Sequence, residues 1–182
     1  MKTVALFGGS FDPPHIGHIT IVNELLKLSF IDEVVVMPTY LNPFKKSFYA
    51  DAKLRLSWLK TIFSNYKDVT ICDYEVKQNR PIASIESVQY LLKSYSSVYL
   101  VIGADNLASL QKWKDYKKLK TLVTFIVVSR DNIDIDKSFK KLHVDCDISS
   151  TQLRSCIDLS FIPKQCAKEI EQFYKEKNAK HN

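Results

Sequence analysis

Residues 8 to 18 read GGSFDPPHIGH and concentrate glycines, prolines and histidines in one short segment. The chain has 4 glycines in 182 residues, whereas average usage would give roughly 13. Three of the glycines lie in this segment, which predicts unusual backbone geometry in one loop. His15 and His18 are three residues apart, so in a helical turn both imidazoles point to one side. Two donors placed in this way could bind one anionic group.

The same segment lies between a predicted strand and a predicted helix. The apolar run Thr3 to Phe7 predicts the strand, and Gly17 to Leu28 predicts the helix. Gly8, Gly9 and Ser10 could then present backbone N–H groups to a phosphate beside the positive end of the helix. The segment matches neither the Walker pattern nor the dinucleotide fingerprint. A simple tight turn, or histidines that serve as core residues or metal ligands, remains an alternative.

A second segment, from Ile148 to Arg154, has the spacing of a helix start. Ser149 and Gln152 form the pattern of a capping box, which predicts a helix that begins at Ser150. Arg154 falls in the second turn and would favour the same anion. A surface arginine in an ordinary capped helix is the alternative.

The rest of the chain alternates short apolar runs with longer amphipathic stretches, which is typical of parallel strands joined by helices. We predict an α/β, Rossmann-like, doubly wound and mainly parallel sheet with helices on both faces, and a ligand at the carboxyl ends of the strands. The other predicted strands are Glu33 to Met37, Val69 to Tyr74, Val98 to Ile102, Leu122 to Val128 and a weak one near His143 to Cys146. The other predicted helices are Ala50 to Phe63, Ser84 to Ser94, Asn106 to Gln111, Ser150 to Leu159 and Pro163 to Lys177.

Both segments resemble signatures of the nucleotidyltransferase superfamily, G-x-F-x-P-x-H-x-G-H and I-S-S-T-x-x-R. Within it, three features resemble the bacterial nicotinate-nucleotide adenylyltransferases, and the resemblance runs from Met1 to about Tyr174. They are His15 in the H-x-G-H form, the segment Leu100 to Leu107 followed by Trp113 and Leu119, and the pair Ser129-Arg130.

The resemblance implies transfer of AMP from ATP to nicotinate mononucleotide, with pyrophosphate released and Mg²⁺ bound by the phosphates of ATP rather than by protein ligands. It implies that four cationic residues neutralise phosphate charge, namely His15, His18, Lys45 and Arg154. The residues implied for ATP binding are Gly8, Gly9, Ser10, Phe11, Gly17, Gly103, Asp105, Ser150 and Thr151. Trp113 and Ser84 are implied on the acceptor side, although Trp113 could instead be a half-buried core aromatic.

Two departures from the family pattern concern the acceptor side. The family's P-H-K element is Pro43-Phe44-Lys45 here, and its S-Y-T string reads Ser84-Ile85-Glu86. The chain alone leaves open phosphopantetheine or nicotinamide mononucleotide as the acceptor. From the residues, a carboxylate and an amide on the acceptor ring are not distinguished.

Composition sets the remaining expectations. One domain over residues 1–182, with 178–182 as a frayed tail, fits the length and the 46% hydrophobic content. The net charge of +6 and pI near 9.0 favour anionic ligands, and a non-catalytic nucleic-acid-binding module is the alternative from another class. No run is long enough to span a membrane, and the 4 cysteines lack C-x-x-C spacing. We therefore expect a cytoplasmic protein with reduced thiols and no nucleic-acid or membrane partner. The sequence leaves the oligomeric state open, and a homo-oligomer is one of the alternatives.

Overall fold

The chain is built on a parallel sheet. A computed structural model describes residues 2–42, 47–129, 135–146 and 148–180. Its strands are β1 (Thr3–Gly9), β2 (Glu33–Pro38), β3 (Val69–Ile71), β4 (Ser97–Gly103), β5 (Val123–Ser129) and β6 (Lys140–His143). Within the described residues these strands form a 6-stranded sheet in the order β3-β2-β1-β4-β5-β6, and all neighbours are parallel.

Helices connect the strands and cover the sheet. They are α1 (Ile16–Leu26), α2 (Ala52–Ile62), α3 (Tyr74–Gln78), α4 (Ser84–Leu91), α5 (Tyr116–Leu122), α6 (Ser150–Ser155) and α7 (Ala167–Ala179). Two 3₁₀ segments, Ala104–Lys112 and Leu159–Phe161, lie between them. In the described parts of the chain, no helix is both long and apolar enough to cross a membrane.

Alternating side chains of the central strands feed two cores on opposite faces. Ala5 and Phe7 of β1 point into one core with α1, α2 and α7. Val4 and Leu6 point into the other, with α4 and α5. Because successive residues of a strand face opposite sides, an almost wholly apolar β1 requires helices on both faces. The predicted doubly wound α/β fold is confirmed, and the described sheet is parallel throughout.

Several predicted boundaries were wrong where local backbone geometry prevailed over apolar patterning. The predicted strand Val69 to Tyr74 ends at Ile71, because the chain turns into α3 at Tyr74. The helix predicted from Pro163 begins at Ala167, since Cys166 at φ −124° is not helical. The helix Ser150 to Leu159 stops at Ser155 for the same reason at Cys156, with φ −148°.

The edge of the sheet was also misplaced. The weak strand predicted near His143 to Cys146 is instead Lys140–His143, which pairs with β5. Exposed edge strands carry charged residues rather than an apolar run, so the apolar signal did not mark it. Helix α5, at Tyr116–Leu122, was not predicted. It is short and rich in lysine, and Leu119 alone among its residues is buried, so it has no apolar periodicity.

Candidate active site

Two cavities open at the carboxyl ends of β1 and β4. The strand order reverses between these two strands, and α/β sheets bind ligands at such a point. The first cavity, of about 630 Å³, lies towards β5 and α6. The second, of about 380 Å³, lies towards α4 and the end of β2. Phe7, Gly103 and Asp105 line both cavities, which therefore share a wall.

His15 and His18 line the first cavity as a stacked pair. His15 precedes α1 and His18 lies in its first turn, with ring centroids 3.7 Å apart and planes inclined by 31°. The expectation that both rings lie on one side is confirmed. Nδ1 of His18 accepts a hydrogen bond from the backbone N–H of His15 at 3.1 Å. A neutral His18 therefore carries its proton on Nε2, as a hydrogen-bond donor.

The loop before α1 owes its shape to Phe11 rather than to its glycines. Phe11 has a left-handed φ of 49°, whereas none of the glycines has a positive φ. The expected unusual geometry is present, but assigning it to the glycines was wrong. Gly9 and Gly17 instead allow close approach of two rings: a Cβ on Gly9 would lie 3.1 Å from the Phe11 ring, and one on Gly17 would lie 3.0 Å from the His15 ring. Phe11 is 1% exposed and packs edge-on against His18 at 4.8 Å.

Helix α6 closes the loop from the other side. The predicted capping box is confirmed, because the Ser149 hydroxyl accepts from the Gln152 N–H and the Gln152 side chain accepts from the Ser149 N–H. The Ser150 hydroxyl donates to the carbonyl of Pro13 at 2.9 Å. Arg154 donates to the carbonyl of Asp12 at 2.7 Å. Two segments that are far apart in the chain thus form one surface.

Sequence reasoning missed a buried clamp around the same loop. The Asp12 carboxylate accepts hydrogen bonds from the N–H groups of Tyr49 and Ala50 and from the hydroxyl of Tyr174 on α7. Arg55, which is 1% exposed on α2, donates to the carbonyl of Ser10 at 2.6 Å. An arginine on the apolar face of an amphipathic helix was the available signal, because charges at such positions are rarely unpaired.

The second cavity contains Trp113 and Ser84, as expected of residues on one side of the site, together with unexpected polar groups. Among the described residues, no partner is present for three of its buried polar atoms, which belong to Trp113 (Nε1), Thr39 (Oγ1) and Glu75 (Oε2). Glu75 is 6% exposed, and burial raises its pKa to about 7. Buried polar atoms without partners are uncommon and mark places where a ligand could bind.

The structure brings most of the predicted site residues to these cavities. Gly17 and Ser150 line the first, Gly8 and Gly9 line the second, and Gly103 and Asp105 line both. Four predicted site residues line neither cavity, namely Ser10, Phe11, Thr151 and Arg154. The Thr151 hydroxyl accepts from Arg154 at 2.9 Å, and the Ser10 carbonyl accepts from Arg55. Lys45, its neighbours Pro43 and Phe44, and Arg130 lie outside the described residues.

Comparison with known proteins places this geometry in a family. The cytidylyltransferase-like family model matches residues 6–156. A Sulfurimonas denitrificans protein is 57% identical over 99% of both chains, and a Nitratiruptor protein is 49% identical over 94% of this chain and 98% of its own. Both are named "probable nicotinate-nucleotide adenylyltransferase".

Solved structures agree in fold. A Plasmodium falciparum nicotinic acid mononucleotide adenylyltransferase complexed with APC has a TM-score of 0.75, with 20% identity and coverage of 96% of this chain and 98% of that one. The same enzyme complexed with NaAD gives 0.72 at the same coverage. The full-length identity to the bacterial relatives and the match of the family model lead to one conclusion: this chain belongs to the nicotinate-nucleotide adenylyltransferase family of nucleotidyltransferases.

Proposed function

We propose that the chain transfers the adenylyl group of ATP to nicotinate mononucleotide. The acceptor's phosphate oxygen attacks the α-phosphorus, the bond from that phosphorus to the bridging oxygen breaks, and pyrophosphate leaves. The observation that carries this proposal is the pair of cavities with a common wall at Gly103 and Asp105. Two nucleotides bound on either side of one wall could bring their phosphates together, which is what direct transfer requires.

The first cavity suits ATP. His15 and His18 lie beside the start of α1, whose N-terminal N–H groups favour anions. Within the described contacts, Arg154 uses two hydrogen bonds of the five N–H donors that a guanidinium carries. We assign phosphate neutralisation to these three residues and to Lys45. We assign ATP binding to the residues that line this cavity, namely Gly17, Gly103, Asp105 and Ser150. We assign it also to Ser10 and Thr151, which line neither cavity, and to Gly8 and Gly9, which line the second cavity directly after Phe7 of the shared wall, with Phe11 acting through its packing on His18.

The second cavity suits the acceptor. Trp113 offers an aromatic surface for a pyridine ring. Ser84 begins α4, so the positive end of that helix faces the cavity and favours an anionic ring substituent. The acceptor needs no general base, because a phosphate monoester with a second pKa of about 6 is mostly dianionic at pH 7.

Magnesium would enter with ATP as part of the substrate. The described residues contain no group of three or more His, Cys, Asp or Glu side chains that could hold a metal ion. Oxygen ligands from a triphosphate are those that Mg²⁺ prefers. We therefore assign the ion to the phosphates and not to a protein cage.

Release of pyrophosphate tests the proposed function. The enzyme is incubated with Mg²⁺ and ATP together with nicotinate mononucleotide, nicotinamide mononucleotide or phosphopantetheine. We expect the highest kcat/KM with nicotinate mononucleotide. Pyrophosphate release with phosphopantetheine, and none with either pyridine mononucleotide, would overturn the proposal.

A further inference from the structure

Glu75 is a buried carboxyl in the wall of the second cavity. It lies on α3, and its Oε1 accepts a hydrogen bond from the hydroxyl of Ser87 on α4 at 2.6 Å. Its Oε2 has no hydrogen-bond partner among the described residues. One oxygen is thus fixed by the fold, while the other has no structural role in the described contacts.

We propose that Glu75 is a specificity-determining residue that sets the preference between an anionic and a neutral acceptor ring in the second cavity. The proposal rests on the proposed function, because it takes the ring to bind beside Trp113. An ionised Glu75 would repel a ring carboxylate, since charges interact strongly in a buried site. It would also offer an acceptor to the N–H groups of a carboxamide. A protonated Glu75 would remove the repulsion and could donate to the ring carboxylate.

The surroundings of Glu75 allow both its protonated and its ionised form near neutral pH. Burial raises its pKa to about 7, its hydrogen bond to Ser87 opposes that shift, and the negative charge of Glu86 on α4 adds to it. Lys114 and Asp105 also line the cavity and carry opposite charges. Cys72, just before α3, has a pKa raised by burial and stays a neutral thiol. The described surroundings therefore supply no buried cation that would hold Glu75 ionised.

The test measures the ratio of kcat/KM for nicotinate mononucleotide to kcat/KM for nicotinamide mononucleotide at a series of pH values that includes pH 6 and pH 8 and extends above pH 8. Both acceptors carry the same ribose phosphate, so titration of that phosphate, of ATP and of the histidines cancels in the ratio. The nicotinate carboxylate stays ionised over this range. In the wild type we expect the ratio to fall by about 3- to 10-fold as Glu75 ionises. In Glu75→Gln we expect it to change by less than about twofold, because no charge develops there.

Two further variants make the result specific. Glu86→Gln removes a nearby carboxylate that lies outside the wall of the cavity, and it should keep a pH-dependent ratio. Ser87→Ala removes a hydrogen bond that lowers the pKa of Glu75, so the fall of the ratio should move to higher pH. This variant also tests the proposal if Glu75→Gln does not fold.

The outcomes separate the two levels of the proposal. A wild-type fall of the ratio that persists in Glu75→Gln, or that does not move in Ser87→Ala, would overturn the role of Glu75. A wild-type ratio that is the same at pH 6 and pH 8 would also overturn it. Absence of pyrophosphate release with both mononucleotides in the wild type would instead overturn the proposed function.

Discussion

The two nitrogens of His18 can be tested separately. Nδ1 accepts from the His15 N–H at the start of α1, whereas Nε2 carries the proton that we assign to phosphate binding. Asn places its side-chain oxygen near the position of Nδ1, so His18→Asn should keep the hydrogen bond that supports the helix start. It should lower kcat by about 10²- to 10³-fold, as loss of one transition-state donor does.

His18→Gln is the matched variant, since its amide lies closer to the position of Nε2. It should retain more activity than His18→Asn and have a lower melting temperature. Rates of pyrophosphate release and thermal unfolding of both variants provide the comparison. Wild-type kcat in His18→Asn would remove the Nε2 donor from the mechanism.

Gly103 keeps space for a side chain that both cavities share. A Cβ on Gly103 would lie 2.3 Å from Oδ1 of Asp105. That carboxylate is the end of a flexible side chain and can rotate away, so Gly103→Ala should fold normally but raise the KM for ATP several-fold. In an Asp105→Ala background the same substitution should add almost nothing to KM, because the clash is gone. Equal effects in both backgrounds would show that Asp105 does not mediate the change.

At the scale of elements, the terminal helix α7 supports the loop before α1. Tyr174 is fully buried and donates its hydroxyl hydrogen to Asp12. Burial raises the pKa of that hydroxyl, and the Asp12 carboxylate raises it further. Tyr174→Phe keeps the ring packing and should lower the free energy of unfolding by about 1–3 kcal/mol, because a buried acceptor loses a donor. It should also reduce kcat, since Asp12 accepts at its carbonyl from Arg154.

Chemical denaturation and steady-state kinetics measure these two effects. Tyr99→Phe is the control, because the Tyr99 hydroxyl has no hydrogen bond to the described residues and its ring packs against Phe30 at 5.0 Å. Both the stability and kcat of Tyr99→Phe should remain close to those of the wild type. A Tyr174→Phe enzyme that loses stability but keeps full kcat would show that the hydrogen bond from Tyr174 to Asp12 supports folding and not catalysis.

The sequence predicts elements best where one residue pattern decides the structure. The central strands β1, β2, β4 and β5 were found within about two residues because buried parallel strands are continuous apolar runs. The helix start at Ser150 was found because a capping box is a local pattern. The contacts of Arg55 and Tyr174 with the loop were not predicted, since they join residues that are 45 and 162 positions apart. Such contacts leave no periodic signal in a single chain.

At the scale of the whole molecule, the doubly wound topology explains why motifs from distant segments meet. Parallel strands all end at one edge of the sheet, so the segments after β1 and β4 converge there. The sequence predicts this edge but not its division into two cavities. That division depends on Gly103 at the end of β4 and on Asp105 just after it, because both residues line both cavities. Glu75 was missed because the predicted strand ended at Tyr74 and no helix was predicted after it, so nothing in the sequence indicated that this carboxyl faces a cavity.

The stability of the fold should depend on pH through two buried carboxyls, Glu33 and Glu75, whose pKa values are shifted in opposite directions. Burial tends to raise the pKa of Glu33, but hydrogen bonds from Thr70, Tyr95 and Lys2 lower it overall. Its stabilising contribution is therefore present above the unfolded value of 4.5 and is lost as the pH falls through the folded pKa. The stability difference between the wild type and Glu33→Gln should thus grow as the pH rises from strong acid.

Glu75 gives the reverse dependence. Its pKa is about 7 in the folded protein and 4.5 as a model value, so the folded state binds more protons than the unfolded state between these two values. The contribution of Glu75 to the free energy of unfolding is therefore complete below pH 4.5 and is lost as the pH rises through about 7. Relative to Glu75→Gln, the wild type should lose roughly 3 kcal/mol of unfolding free energy between pH 4.5 and pH 8. Urea denaturation of both proteins across this range measures the difference, and a flat or rising difference would show that the cavity leaves Glu75 ionised in the folded enzyme.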